Sequence, residues 1–407
     1  MVDAQIMPGQ SGGVEQAIVG LAASFKELND SELEFYWLTL DENVEWLKPF
    51  APDKSKFVIN SDLKNHGLKS IVRLFISKLE FLDFLISFLR QRGIFKFKLP
   101  SEPEIVKKID PTIIHFPLQF GFETERPNIY QPHDLQHLHL SEFFPKETLT
   151  LRKIGYSFMS KQASRIVIGN EWTKKDIEMN LDFAKGKVLN VPVSVQSIFR
   201  DQGKIKSEIN MPDNYLLYPA AGWPHKNHKR LLHAFAEAVE EVSNFQLVLS
   251  GSNLKYNKEI HQLILDLNLN DKVIILGFVE ADLLKQIYLN SSGVIVPTLF
   301  ESASFPVWEA LILEIPIAGS SVTSLPQQLS NFGYQFDPFS IEEIRVAILK
   351  LMRGKVSSPK TRKSGRDYAL KFSFENSALG YRFAYRQALE ISPDDSDMDW
   401  LENGYRF

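Results

Sequence analysis

GVIVPTLFESASFPVWEALILEIPIAGS, residues 293–320, links an apolar run to a polar loop and then to a helical pattern. The apolar run predicts a buried β-strand, and the loop after it carries Glu301. Ser304 and Pro306 are favoured at helix starts, so we expect Ser304 to cap a helix that begins there. Glu309 then lies about one turn inside this helix. The stretch therefore predicts two carboxylates near a helix N-terminus, at the carboxyl end of a strand.

Such an arrangement offers binding groups for a phosphorylated sugar. A helix N-terminus has free N–H groups and a positive dipole end, which suit a phosphate. Carboxylates suit sugar hydroxyls, which need strong acceptors. Taken alone, however, two glutamates at this spacing are more often solvated carboxylates on a capped surface helix.

The alternation of strand and helix patterns continues on both sides of this stretch. Further strand patterns are VDAQIM (2–7), EFYWLTL (34–40), TIIHF (112–116), PNIYQP (127–132), SRIVIGN (164–170), KVLNVP (187–192), NYLLYPA (214–220), FQLVLSG (245–251) and KVIILGF (272–278). This alternation favours parallel sheets, so we predict an α/β protein with two Rossmann-like domains facing each other across a cleft. The predicted units are an N-terminal domain over 1–200, a C-terminal domain over 201–375 that begins with a polar linker, a C-terminal helix over 376–391 crossing back to the N-terminal domain, and a loosely ordered acidic tail over 392–407.

The composition narrows the possible functions. The chain has 407 residues, with 46 Lys and Arg against 50 Asp and Glu, and no Cys. This charge balance does not suggest a nucleic-acid-binding protein. The lack of Cys excludes disulfides, thiolate catalysis and Cys-based metal sites. The N-terminus lacks a signal-peptide pattern and no apolar run is long enough to span a membrane, so we expect a cytoplasmic protein.

The stretch 293–320 resembles the signature of family 4 glycosyltransferases, whose two Rossmann-like domains form the GT-B arrangement. In that signature a Glu, seven residues and a second Glu precede an Ala and a Pro-containing strand, which here are Glu301, Glu309, Ala310 and Pro316. Other segments resemble further family motifs in the same order: QSGGVEQAIVGLA (10–22), IYQPHDLQ (129–136), SRIVIGNEWTKKDI (164–177), YPAAGWPHKNHKRLLHAF (218–235), FQLVLSGS (245–252) and KVIILGFVEADLLKQIYLNSSGVIVPT (272–298). The resemblance covers nearly the whole chain.

The resemblance implies a retaining glycosyltransferase that binds its donor in the C-terminal domain and its acceptor in the N-terminal domain. It implies that Glu301 binds hydroxyls of the donor sugar, that His133 contacts this sugar and that Lys226 holds the diphosphate; these are the expected catalytic residues. Glu309 would bind the ribose. The implied donor-binding residues are Gly12, Gly13, Lys226, Phe278, Glu301, Ser304, Phe305, Pro306 and Glu309.

The sequence departs from the family pattern at two places. The family usually has an Arg six residues before its phosphate lysine, and this position is Ala220. The Gly-Phe-Gly that follows the first glutamate is replaced by residues 302–304, Ser-Ala-Ser. We therefore expect diphosphate binding to rest on Lys226, helped by His225 and backbone N–H groups.

Several of these residues also have a structural explanation without the resemblance. Lys226 could be a solvated side chain, and Gly12 and Gly13 could form only a turn. His133 could be a structural histidine that hydrogen bonds to the backbone, and His115 is a weaker candidate for the cleft.

The expected reaction moves a hexose from a nucleotide diphosphate sugar to a glycan or lipid-linked glycan, in bacterial surface polysaccharide synthesis. A UDP-hexose such as UDP-glucose is favoured as donor, and GDP-mannose is possible. We expect neither a metal nor a cofactor. Ala220 motivates an alternative, a non-catalytic sugar-binding or scaffold subunit, and a nucleotide-sugar epimerase of the same fold is a weaker one.

Residues 64–98 combine many Lys and Arg with Leu, Ile and Phe. They could form a helix of the N-terminal domain whose apolar stripe is core. Alternatively, they could lie on an anionic membrane surface, as basic amphipathic helices do. The second interpretation would place the protein at the inner face of the membrane.

Overall fold

Two parallel β-sheets organise the chain in the computed structural model, which describes residues 1–8, 13–61, 99–194, 197–200 and 211–404. The first sheet has seven strands and the second has six. Every strand pair is parallel, and helices connect the strands. The prediction of two α/β domains is therefore confirmed. Residues 64–98, for which a core helix and a membrane-surface helix were both open, and Gly12 lie outside the described residues.

The N-terminal sheet contains β1 (Val2–Asp3), β2 (Tyr36–Thr39), β3 (Lys56–Ile59), β4 (Ile114–Phe116), β5 (Asn128–Tyr130), β6 (Arg165–Ile168) and β7 (Val188–Asn190). Their spatial order is β3-β2-β1-β4-β5-β6-β7. β3 was not among the predicted strands, because its four residues, KFVI, are a short pattern with a charged start. All the other strands of this sheet fall within predicted segments.

The C-terminal sheet contains β8 (Tyr215–Pro219), β9 (Gln246–Ser250), β10 (Val273–Gly277), β11 (Gly293–Val296), β12 (Ile317–Ser320) and β13 (Tyr334–Phe336). Their order is β10-β9-β8-β11-β12-β13. From β8 to β10 successive strands are added toward one edge of the sheet, and from β11 to β13 toward the other edge. The switch point lies between β8 and β11, and ligands of such sheets bind in the crevice there.

Helices lie on the sheets and connect their strands. Those before β8 are α1 (Gly13–Leu28), α2 (Glu104–Ile109), α3 (Gln136–His139), α4 (Lys146–Gln162), α5 (Glu171–Asn180) and α6 (Ser197–Arg200). Those that follow are α7 (His228–Glu241), α8 (Lys258–Asp266), α9 (Ala281–Asn290), α10 (Phe305–Ile312), α11 (Leu325–Leu329), α12 (Ile341–Met352), α13 (Pro359–Leu370), α14 (Phe374–Ala388) and α15 (Asp395–Asn403). Within the described ranges, none of them combines the length and the apolar character that a membrane span needs.

Burial of both sheet faces explains the apolar strand sequences. The β8 residues Tyr215, Leu216, Leu217 and Tyr218 are all 0% exposed. Adjacent strand residues point to opposite faces, so such a run requires cover on both sides of the sheet. Phe199 of α6 belongs to this C-terminal core, although it precedes the predicted linker.

Helix α14 follows the C-terminal domain in sequence but contacts the N-terminal domain. The rings of Tyr385 and Phe25 of α1 stack at 5.7 Å between centroids. The hydroxyl of Tyr385 lies 3.0 Å from Nδ1 of His115, and Nε2 of this histidine lies 3.1 Å from Gln131 Oε1. Burial lowers the pKa of His115 to about 3, so it is a neutral core histidine.

The prediction of a loosely ordered acidic tail over 392–407 is wrong, because residues Asp395–Asn403 form the helix α15. Asp394 and Asp397 make a reciprocal capping box at its start. Arg382 of α14 lies 3.0 Å from Asp394, which neutralises part of the acidic charge. Trp400 is 3% exposed, and its Nε1 donates to the Asn376 carbonyl at 3.0 Å. The acidic composition alone did not reveal these partners on α14.

Replacing Trp400 with Ala should destabilise the protein, because it removes the buried side chain that packs α15 against α14. Truncation of a buried Trp costs about 3–5 kcal/mol. Met398→Ala is the matched control on the same helix, since Met398 is 47% exposed. Urea unfolding should show a clear fall in the free energy of unfolding only for Trp400→Ala. Equal midpoints for the two variants would show that α15 does not pack as described.

Candidate functional site at the switch point of the second sheet

Two loops meet where β8 and β11 end. The loop after β8 closes with a short 3₁₀ turn, Pro224–Lys226, and Asn227 then takes a left-handed conformation with φ of 61° before α7 begins. Asn tolerates this conformation better than most residues. Asn227 Nδ2 donates to the carbonyls of Pro297 and Pro338, at 2.9 and 2.8 Å, and so fixes the turn against the end of β11.

The loop after β11 is tied to the same turn. The backbone N–H of Leu299 donates to the His225 carbonyl at 2.8 Å. The Thr298 hydroxyl contacts the same carbonyl at 3.2 Å. These contacts bring the predicted phosphate lysine and the first predicted glutamate to one place, although they are 75 residues apart in sequence.

Lys226 and Glu301 form an ion pair at this place. Lys226 Nζ donates to Glu301 Oε1, and the two side chains are 19% and 12% exposed. Burial raises the pKa of Glu301, and the charge of Lys226 opposes this shift. The alternative in which both side chains are solvated at the surface is therefore wrong for this pair.

The backbone of Glu301 is fixed from the following segment. The hydroxyls of Thr323 and Ser324 donate to the Glu301 carbonyl at 2.6 and 3.0 Å. The Glu301 N–H in turn donates to Thr323 Oγ1 at 3.1 Å. The segment that follows β12 thus orients the loop.

Glu309 lies on α10, as predicted, and is partly buried. The Tyr288 hydroxyl donates to Glu309 Oε2 at 2.6 Å. Burial raises the pKa of Glu309 to about 7, and this hydrogen bond opposes the shift. The carboxyl group therefore titrates near neutral pH. Tyr288 had no signal of its own in the sequence analysis.

Ser304 occupies the N-cap position of α10, but its side chain does not cap the helix. Gln328 instead bonds both backbone groups of Ser304, through its Oε1 at 3.0 Å and its Nε2 at 2.6 Å. The Ser304 hydroxyl is buried and, among the described residues, has no hydrogen-bond partner. Phe305 and Pro306 form the first turn of α10 and are partly exposed.

The histidines beside Lys226 are held neutral. Burial lowers the pKa of both His225 and His228 to about 3, and the charge of Lys226 adds to the shift. His225 therefore contributes no second positive charge to the site. Ala220, in the position of the family Arg, is 8% exposed at the end of β8.

His133 follows β5 in the N-terminal domain, in a left-handed conformation with φ of 67°. Its Nε2 lies 2.8 Å from the Pro117 carbonyl, and burial lowers its pKa. The charge of the neighbouring Asp134 adds to the rise in the pKa of Glu301. The structure thus shows the backbone contact proposed for a structural histidine, and a sugar contact stays a prediction.

The remaining predicted donor residues lie at other loop ends. Gly13 begins α1, and a Cβ placed on it would meet no atom within 4 Å, so space is open there. Phe278 follows β10 and is 66% exposed, as expected of a residue free to stack on a base. Trp223, after β8, is 47% exposed and was not among the predicted residues.

Residues 199–372, which include both loops, match the family model for glycosyl transferases group 1. The C-terminal domain is thus similar to group 1 glycosyltransferases. The whole chain aligns with the crystal structure of a glycosyltransferase from Rickettsia africae, at a TM-score of 0.65 and 15% identity, over 96% of this chain and 98% of that one. The predicted GT-B fold is confirmed.

The relatives include two O-antigen chain mannosyltransferases. The O-antigen chain mannosyltransferase RfbU of Salmonella typhimurium is 24% identical over 251 residues, which cover 60% of this chain and 65% of RfbU. The O-antigen chain mannosyltransferase B of Escherichia coli is 22% identical over 277 residues, 64% of this chain and 73% of that protein. The match thus spans a little under two thirds of the first relative.

Replacing Glu309 with Gln should change how stability depends on pH. The folded-state pKa of Glu309 is about 7 against an ordinary value of 4.5, so the folded state binds this proton more tightly than the unfolded state. The wild type therefore loses stability as pH rises from about 4.5 to about 7, and Glu309→Gln avoids this loss. Urea unfolding of both proteins across this range measures the difference. A difference that does not change with pH would contradict the raised pKa.

Proposed function

We propose that the chain is a retaining glycosyltransferase that moves a hexose from a nucleotide diphosphate sugar to a glycan or lipid-linked glycan. The observation that supports this best is the partly buried Lys226–Glu301 pair at the switch point of the second sheet. A lysine and a glutamate held together there offer a cation for the diphosphate and an acceptor for the donor sugar.

The diphosphate would leave as an anion, and two features oppose its charge. Lys226 is a point-charge partner for a phosphate oxygen. The N-terminus of α10 offers free N–H groups and the positive end of its dipole. The Ser304 hydroxyl, for which the described part of the chain offers no hydrogen-bond partner, is a further donor at this helix end. We propose that these groups stabilise the leaving group without a metal.

The two glutamates would divide the rest of the donor between them. Glu301 would accept hydrogen bonds from hydroxyls of the transferred sugar, and His133 would contact that sugar. Glu309 would accept from the ribose, and Phe278 would stack on the base. We assign no covalent nucleophile, since retention of the anomeric configuration does not require Glu301 to form a bond to the sugar.

The names of the two relatives favour mannose as the transferred hexose, and O-antigen-type surface polysaccharide as the product. The expectation of UDP-glucose from sequence therefore stands beside a GDP-mannose donor, and both belong in the first assay. A cytoplasmic location at the inner membrane face stays a prediction.

Ala220 motivates the alternative of a non-catalytic sugar-binding or scaffold subunit. With Ala there and with neutral His225, diphosphate binding has a single side-chain cation among the described residues of these two loops. A protein that binds sugars without transferring them would tolerate this loss. Purified wild type that releases no nucleotide from any donor would favour such a scaffold, and conversion of the donor without acceptor would favour an epimerase.

Lys226→Ala should slow donor turnover at least about tenfold, because a charge-assisted contact in a cleft contributes ~1.5–3 kcal/mol. Lys229→Ala is the matched control, since Lys229 is 64% exposed and pairs with Glu259 at 2.7 Å. The assay follows nucleotide release from GDP-mannose and from UDP-glucose. Turnover of Lys226→Ala at the Lys229→Ala rate would contradict the phosphate role.

Glu301→Gln and Glu309→Gln should affect different steps. Charge on the transferred sugar changes in the transition state and charge on the ribose does not, so Glu301→Gln should mainly lower kcat. Glu309→Gln should instead weaken binding of the free nucleotide by about three- to tenfold, since the Gln amide oxygen still accepts and only the charge of the acceptor is lost. Calorimetric titration with the nucleotide separates the two. If both variants bound it equally weakly, the division of roles would be wrong.

A further inference from the structure

The residues on either side of Glu301 contact the N-terminal domain. Phe300 is 2% exposed and forms a small apolar cluster with Leu140 and Trp172. The Phe300 ring centroid lies 5.7 Å from that of Trp172 and 5.4 Å from that of His139. Phe300 comes from the C-terminal domain, whereas the other three residues follow β5 or begin α5. The cluster therefore joins the two domains.

The histidine of this pocket is itself held in place. His139 Nε2 lies 2.8 Å from Asp176 Oδ1, and Asn180 Nδ2 donates to the same oxygen at 3.0 Å. Burial raises the pKa of Asp176, and its bond to His139 opposes the shift. His139 is thus held by side chains of α5 that hydrogen bond to one another within the N-terminal domain.

Asn170 holds the other side of Glu301. It is 0% exposed and caps α5, because its Oδ1 accepts from the Thr173 N–H at 2.8 Å. Its Nδ2 is then directed away from the helix and donates to the Ser302 carbonyl of the C-terminal domain. Both ends of the Asn170 amide are used, one within its own domain and one across the interface.

We propose that Asn170 and the pocket of His139, Leu140 and Trp172 form a latch that positions Glu301 from the opposite domain. Glu301 lies between the two residues that the latch holds, Phe300 and Ser302. The position of the donor carboxylate therefore depends on contacts from both domains: Thr323, Ser324 and Lys226 hold it from its own domain, and the latch holds the residues on either side of it. The latch residues touch neither Lys226 nor Glu309 in any contact described above, so they are positioning residues and not catalytic ones.

The latch proposal rests on the proposed function of Glu301, and it adds that the opposite domain helps to position this residue. Nucleotide binding would use Lys226 and Glu309, which are fixed within the C-terminal domain. The rate of transfer would use Glu301, whose loop depends on both domains. Opening the latch should therefore lower kcat and leave the affinity for nucleotide alone unchanged, since misplacing a reacting group by ~1 Å can cost ~100-fold in rate.

Asn170→Asp is the sharpest variant, because it keeps the oxygen that caps α5 and removes the N–H₂ that reaches Ser302. We expect kcat for donor turnover to fall at least about tenfold, with nucleotide affinity by calorimetry within twofold of wild type. Ser358→Ala is the control for a substitution at a helix N-cap away from this interface, since the Ser358 hydroxyl caps α13 by accepting from the Thr361 N–H at 3.1 Å. Wild-type kcat in Asn170→Asp would overturn the latch.

Two further measurements separate the possible failures. In the double variant with Glu301→Gln, Asn170→Asp should add little further loss of kcat, because both substitutions act through one carboxylate. A fully additive loss would overturn the latch.

Hydrogen exchange of residues 299–304 should be faster in Asn170→Asp than in Ser358→Ala, and equal exchange would also overturn the latch. If Glu301→Gln itself left turnover unchanged, the proposed role of Glu301 would fail instead. Trp172→Leu serves as the second latch variant should Asn170→Asp not fold.

Discussion

The ion pair between Lys226 and Glu301 is the interaction on which the candidate site depends. Removing two charges from water is costly, and a buried pair is retained only where geometry and further hydrogen bonds compensate. Here the two side chains are 19% and 12% exposed, and the raised pKa of Glu301 reflects the cost of burial. The surrounding structure must hold both partners in place, because either charge alone would lose part of this compensation in a partly buried position.

The parallel sheet brings Lys226 and Glu301 together. β8 and β11 are neighbouring parallel strands, so the loops that follow them begin side by side although the two strands are far apart in sequence. Asn227 and the His225 carbonyl tie the two loops together, and Thr323 and Ser324 orient the backbone of Glu301. The site is therefore a product of the C-terminal fold, and only the flanks of Glu301 depend on the other domain.

Much of this arrangement could be predicted from sequence, because periodic apolar runs and helix-start residues are local signals. The strand, the loop glutamate and the helix of 293–320 were found in this way, and the resemblance identified Lys226 as its partner. β3 was missed because four residues carry too little pattern, and α15 because its acidic side chains need Arg382 of α14.

Contacts between distant side chains left no sequence signal. Ser304 is a favoured capping residue, yet Gln328 takes its backbone groups and leaves its hydroxyl unpartnered among the described residues. Asn170 reads as an ordinary helix cap, and its second bond to Ser302 depends on how the domains dock. Such pairings follow from the tertiary structure and could not be derived from local spacing.

Whether Lys226 holds the diphosphate is tested most directly by comparing the affinities of a nucleoside diphosphate and its monophosphate for wild type and for Lys226→Ala. Removing the outer phosphate should cost the wild type at least about tenfold more affinity than it costs the variant, a coupling of ~1.5–3 kcal/mol. Equal losses in the two proteins would show that the lysine serves only its ion pair with Glu301.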